Sequence, residues 1–160
     1  MAIKLTTPKS EQYMQLMNQK HTVERLIIRN LSILGEKCVA KIRERSEDES
    51  WIDQTGNLRS SIGYVVVNKG RIVEISGFET VKDGADGAKA GRNYAEKLAS
   101  RSKEQFVLYV VAGMSYAVYV EARDNKDVLA STELWARKEA KRMFDKLEHK
   151  LNENGYRHKG

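Results

Sequence analysis

One cysteine, one proline and three histidines are all that this 160-residue chain holds of the residues that staple, break or most often catalyse. The single thiol, Cys38, excludes an intrachain disulfide and a four-cysteine zinc site within one chain. It stands among apolar residues, which predicts that it packs as a small hydrophobe and suits a reducing cytoplasm. No apolar run approaches the ~18 residues that mark a membrane span. The opening stretch Met1-Ala2-Ile3-Lys4-Leu5-Thr6 lacks the apolar core of a secretory signal. The expectation is therefore a chain with no membrane association.

The titratable residues are equally sparse where catalysis would need them together. His21 lies among polar residues, His149 near the end of a helix and His158 in the tail. None has an acid and a nucleophile at a recognisable spacing. Gly84, Gly87 and Gly91 form neither of the phosphate-binding glycine patterns. Asp83, Asp86 and Glu96 do not match a twelve-residue calcium loop. Glu47, Asp48, Glu49 and Asp53 cluster beside Trp51, but in a loop reading, where a paired-carboxylate site would want rigid elements. They read as a hydrated connector, with Trp51 dropping onto the core. The expectation is no enzyme, no cofactor and no metal.

What is present is an ordinary globular balance. Hydrophobic residues are 41% and charged residues 31%, enough apolar material for a core and enough charge for a wet surface. The net charge of +6 allows a polyanion partner, but the signs are mixed along most of the chain, which also suits plain solubility.

Periodicity then places the elements. Val23, Ile27, Leu31, Leu34, Cys38 and Ile42 recur by threes and fours and predict one buried stripe on a long helix, about 10–45. Thr7-Pro8 suits its start, and Gly35 is a point where it could bend. Tyr13, Met14, Leu16 and Met17 fit the stripe less well. A β-hairpin is predicted over about 61–77, with turn chemistry at Asn68-Lys69-Gly70 and with Val73 and Ile75 sharing a face. Residues 78–103 read as an excursion from the sheet, with a flexible turn at 83–87 and a short helix at 93–100. The near-continuous apolar run Phe106 to Ala112 predicts a central, buried strand. A further short strand is predicted from Tyr116 to Glu121, so the strands occupy about 105–121. A second helix over about 128–151 carries Ala136, Ala140, Phe144, Leu147 and Leu151 on its apolar face, with surface pairs Glu133/Arg137 and Lys141/Asp145. Residues 152–160 read as a frayed tail. The fold class is α+β: one domain with a small antiparallel sheet of about four strands, and the two terminal helices on one face.

Two segments go beyond generic composition: Thr55-Gly56-Asn57-Leu58-Arg59-Ser60-Ser61-Ile62, and Gly113-Met114-Ser115-Tyr116-Ala117-Val118-Tyr119-Val120-Glu121. In this order, between two helices, the patterns T-G-x-L-R-x-S-I and G-x-x-Y-A-x-x-V-E resemble those of a tailed-bacteriophage head–tail morphogenesis family. That family is the gene-ten-like group of phage HK ninety-seven, described as neck, tail-completion or minor tail proteins. The matching positions are Thr55, Gly56, Leu58, Arg59, Ser61, Gly113, Tyr116, Ala117, Val120 and Glu121. The chain departs from the pattern after Glu121, where Ala122-Arg123-Asp124 replaces a glycine and a small hydroxyl residue, and before the last helix, at Val128-Leu129-Ala130. The excursion at 78–103 is also longer than usual.

The resemblance implies a virion assembly protein that works by shape. It would dock on other phage neck and tail proteins, as a homo-oligomeric ring, first in the host cytoplasm and then in the virion neck or tail, in passing proximity to DNA. The residues of the first block also make physical sense as structure. The Thr55 hydroxyl can cap a short helical turn, Gly56 permits close backbone approach and Leu58 anchors the turn on the core. The planar fork of Arg59 is expected to meet Glu121 or a backbone carbonyl. Two other readings stand beside this one: a small basic nucleic-acid-binding module, which lacks any recognised binding motif, and a small enzyme with a deep pocket of perturbed side chains.

Overall fold

The structure is a computed structural model and describes residues 9–45, 53–115, 117 and 128–155. The expected cap at Thr7-Pro8 and the placement of Trp51 lie outside these residues.

The first helix, α1 (Lys9–Arg43), runs 35 residues, a rod of about 52 Å. It passes unbroken through Gly35. The glycine there serves a close approach: an added Cβ would stand 2.5 Å from the Tyr64 ring. The predicted stripe is buried where it meets the sheet, at Leu34, Cys38 and Ile42, with Ile28 and Leu31 packed beside it. Two of the residues that fit the stripe poorly are exposed. Met14 is 60% exposed and Leu16 65% exposed.

After a single turn of helix, α2 (Asn57–Ser60), the hairpin forms from β1 (Ile62–Asn68) and β2 (Arg71–Gly77). Lys69 and Gly70 join the strands, both with positive φ (52° and 77°), the two-residue loop whose twist matches that of paired strands. Val66 pairs with Glu74 and Val67 with Ile72, so Val73 is the extra residue of a bulge. The two residues expected on one face differ in burial. Val73 is exposed, while Ile75 packs on the core.

The sheet order is β2-β1-β3, all antiparallel, with β3 at Phe106–Ala112. The central strand is therefore β1, and among the described residues β3 flanks it. The apolar continuity of β3 has another cause: both faces of the sheet are covered. Leu108, Val110 and Ala112 pack toward α1, while Val107, Tyr109 and Val111 pack toward the opposite layer. The strand predicted at 116–121 lies outside the described residues except at Ala117. That residue closes a helical turn, its N–H donating to Met114 O at 3.0 Å. Three strands are thus described.

The opposite layer is α3 (Ala85–Arg101), a 17-residue helix where a flexible turn and a short helix were expected. It is no excursion. Its buried residues Gly87, Gly91, Ala95 and Ala99 recur every fourth position and lie against the second face of the sheet. Each glycine weakens an isolated helix by about 1 kcal/mol relative to alanine, which is why the segment reads as a turn. Packing outweighs that cost.

The last helix, α4 (Ala130–Glu153), lies with α1 on the first face. Met143 and Leu147 are buried, and Trp135, Ala136 and Ala140 pack on Leu34 and Cys38. Both expected surface pairs form, Arg137 to Glu133 at 2.6 Å and Lys141 to Asp145 at 2.7 Å. The helix continues past the expected start of the frayed tail at 152. Among the described residues no helix is long and apolar enough to cross a membrane.

Candidate functional site

The first motif segment is a clamp on the start of α3. Gly56 adopts φ +79°, and a Cβ there would fall 1.9 Å from Val81 O, so only glycine lets the two backbones touch. The Thr55 hydroxyl accepts the Asn57 N–H at 3.3 Å, as a capping residue two positions upstream should. A shorter bond comes from Asp53, whose carboxylate accepts the Arg59 N–H at 2.7 Å. Asp53 is 5% exposed, and its carbonyl also receives Lys82 Nζ at 2.8 Å. At Asp53 the expected hydrated connector is therefore a buried cap; the other acids of that cluster lie outside the described residues.

Two residues that the motif leaves open hold the far side. Asn57 Oδ1 accepts the N–H of Gly87 at 2.9 Å, capping α3 from outside its own chain segment. Gly84, the N-cap of α3, has no side chain to do this. Ser60 Oγ accepts the Val81 N–H at 2.8 Å. Neither role is visible locally, because each partner lies far along the chain.

Leu58 is fully buried among Ile42, Ile62 and Val66 and anchors the clamp as expected. Arg59 meets backbone carbonyls, one of the two kinds of partner expected of it, and these lie at the end of α1. Its Nη1 donates to Arg43 O at 2.7 Å and its Nη2 to Arg45 O at 3.3 Å. These carbonyls close α1, where the negative end of the helix dipole favours a cation. Glu121, the other partner expected for Arg59, lies outside the described residues.

Two more arginines spread from the same point. Arg43 pairs with the Glu79 carboxylate at 2.8 Å and donates to Ile62 O at 3.2 Å. Arg45 donates to Val128 O at 3.3 Å, to Ser131 Oγ at 2.8 Å and to Thr132 Oγ1, at the start of α4. One knot of three guanidinium groups thus ties the end of α1 to the hairpin, the segment before α3 and the start of α4.

The second motif segment meets the first directly. The Gly113 N–H is shared between Ser61 O and Ser61 Oγ, each at 3.1 Å. Ser61 is buried and also donates its hydroxyl to Leu58 O at 2.8 Å. A Cβ on Gly113 would lie 2.3 Å from Gly91 Cα, so three backbones converge at this joint. Phe78 fills the adjoining space, its ring against Gly63 and Gly91. Ala117 is buried in the main core. Tyr116, Val120 and Glu121 lie outside the described residues.

The remaining polar groups in the interior are structural in their geometry. Glu74 accepts Ser32 Oγ at 2.6 Å and Tyr64 Oη at 3.0 Å, joining α1 to both strands of the hairpin. Burial, reinforced by the Glu74 carboxylate, pushes the Tyr64 phenol well above its usual range. Burial likewise pushes the Cys38 thiol up to about 11, which makes it a poor nucleophile at neutral pH. His21 stands 3.6 Å from Glu24 and His149 3.2 Å from Glu153, both exposed. Among the described residues no group of three or more histidines, cysteines or acids is placed to hold a metal ion.

The site is thus a joint of backbones and arginines, at which the two motif segments and three helices are fastened together. No protein-family model, curated protein or solved structure matches the chain.

Proposed function

We propose that the chain is a non-enzymatic virion assembly protein of a tailed phage or prophage. It acts at the head–tail junction or in tail completion by docking on other neck and tail subunits, and closes into a ring when assembled. It is made in the host cytoplasm and carried into the virion. The observation that supports this reading is the bond between Gly113 and Ser61. The two segments that carry the resemblance are 52 residues apart in sequence. A signature split in this way has a common physical reason when its halves form one joint. The Arg59 fork adds a second, since a planar five-donor group suits the closing carbonyls of α1 better than a lysine would. A rigid scaffold of this kind suits a protein that works by presenting surfaces.

The test is genetic and biochemical. Inactivating the gene in the phage or prophage that carries it should leave DNA-filled heads and unattached or incomplete tails in electron micrographs. Purified protein added to that extract should restore infectivity, and mass spectrometry should find the chain in finished particles. Normal particles formed without it would overturn the reading. So would turnover of a small molecule that vanishes when one interior acid or imidazole is removed.

A further inference from the structure

A groove of about 520 Å³ runs between α1 and α4. Arg29 and Lys37 line it from α1, and Arg142, Lys146 and Lys150 from α4. The three α4 cations recur every fourth residue and so share one face of the helix. No aspartate or glutamate among the described residues lines the groove. Lys37 and Arg142 are both held by Glu139, at 2.8 and 2.7 Å. The side chains of Arg29, Lys146 and Lys150 have no carboxylate partner among the described residues. The groove is not purely polar: Ile33, Met143 and Leu147 also line it. An occupant that relieves both features carries several negative charges and apolar side chains together.

We propose that this groove receives the acidic run Glu47-Asp48-Glu49, followed by Trp51-Ile52, of a second copy of the chain. The proposal rests on the docking function above and names one partner for it. The run is the only place in the chain where three carboxylates are consecutive, and two large apolar residues follow it almost at once. Its charge and its composition both complement the groove.

A copy reaches only the near end of its own groove in this way. Arg45 and Asp53, which bracket the run, are both fixed at the end of α1 through Arg59. A strap of about seven residues held at both ends reaches roughly half its extended length, about 12 Å. Lys37 lies about eight residues back along the helix, about 12 Å away and within reach, but Arg29 lies about sixteen residues back, about 24 Å away and beyond it. The contact is therefore between copies. Repeated head to tail, the contact gives a closed ring or an open filament, and exchanged reciprocally it gives a dimer. A nucleic-acid backbone would match the cations but leave the apolar lining unused.

Charge exchange on the full-length protein tests this, with sedimentation velocity as the readout up to roughly millimolar concentration. Wild-type protein should associate at low salt and dissociate as salt rises. Lys146→Glu with Lys150→Glu changes two exposed side chains. It should raise the concentration needed for association about tenfold or more. The triple change Glu47→Lys, Asp48→Lys, Glu49→Lys should do the same. Mixing the two variants should restore association, because each supplies the surface that the other has lost. Circular dichroism spectra matching the wild type confirm that both variants are folded.

Wild-type protein that stays monomeric throughout would overturn the proposal. So would association that neither variant changes, or that mixing fails to restore. Binding of duplex DNA that is lost in the groove variant, with no self-association in the wild type, would assign the groove to nucleic acid instead. None of these outcomes touches the particle phenotype of the inactivated gene, so the two readings fail separately.

Discussion

The two faces of the sheet are buried by opposite means. On the first, Ile62, Tyr64 and Val66 meet Val39 and Ile42 of α1, and the layers are held apart by large side chains. On the second, α3 presents Gly87, Gly91, Ala95 and Ala99, and its backbone comes down onto Asn57, Ser61 and the Phe78 ring. The first face is a volume to be filled. At Gly87 and Gly91 the second is a contact with neighbouring main chain that leaves no room for an added atom, while Ala95 and Ala99 meet side chains. A filled volume tolerates exchange of one apolar side chain for another of similar size. A main-chain contact tolerates almost none.

The sharpest way to break this contrast is to add the same group to both sides. A Cβ at Gly91 would lie 2.3 Å from Ser61 O and 2.6 Å from the Phe78 ring. Gly91→Ala should therefore cost about 4 kcal/mol and leave little folded protein by circular dichroism. Gly35→Ala on the other side also meets a ring, that of Tyr64, at 2.5 Å. It should cost only ~1–3 kcal/mol, partly offset by ~1 kcal/mol of better helix propensity. Equal losses in urea melts would remove the distinction.

Removal of volume should act mainly on the first face. Ile42 is fully buried there, and Ile42→Ala should cost ~2–5 kcal/mol, against ~0.5–1.5 for Ile42→Val. A smaller effect is expected from the outside cap of α3. Asn57→Ala should cost ~1 kcal/mol and speed hydrogen exchange at the Gly87 amide, while exchange in β1 follows only the global loss of stability.

The smallest effect is electrostatic and confined to the α1–α4 seam. Hydrogen bonds from Arg142 and then Lys37 lower the Glu139 carboxyl from its ordinary 4.5 to about 2. A group depressed in the folded state stabilises it above the ordinary value, and loses that contribution as pH falls from about 4.5 toward 2. Thermal melts of Glu139→Gln should lack this component of the acid dependence, which the wild type should show. An unchanged profile would mean that the seam owes nothing to the carboxylate.

Legibility in the sequence follows the same division. The first face could be read, because its elements are periodic within themselves. The stripe of Leu34, Cys38 and Ile42, the turn at Lys69-Gly70 and the pairs on α4 are all local patterns. The second face could not. Gly87 and Gly91 carry a turn signature, and what makes them helical is a cap from Asn57 and a fit against Ser61, both remote in sequence. The central place of β1 among the described strands was missed for a similar reason. Apolar continuity in β3 records that both faces are covered, not which strand lies between the others. At the joint, the roles of Thr55, Gly56 and Leu58 were legible from residue type: a hydroxyl that can cap, a glycine that allows close approach and an apolar anchor. The bond from Gly113 to Ser61, the buried cap by Asp53 and the meeting of three arginines are facts of tertiary geometry.

Cys38 turns one of these arrangements into a clock. Its side chain is buried between α1 and α4, beside Leu34 and Met143, at the floor of a cavity of about 430 Å³, and burial keeps its thiol protonated at neutral pH. A side chain 1% exposed meets a thiol reagent mainly in the moments when the two helices part. The rate of labelling therefore counts those openings directly, with no second cysteine in the chain to confuse the record. If an assembling neighbour grips the pair, the count should slow; if it pries them apart, the count should quicken.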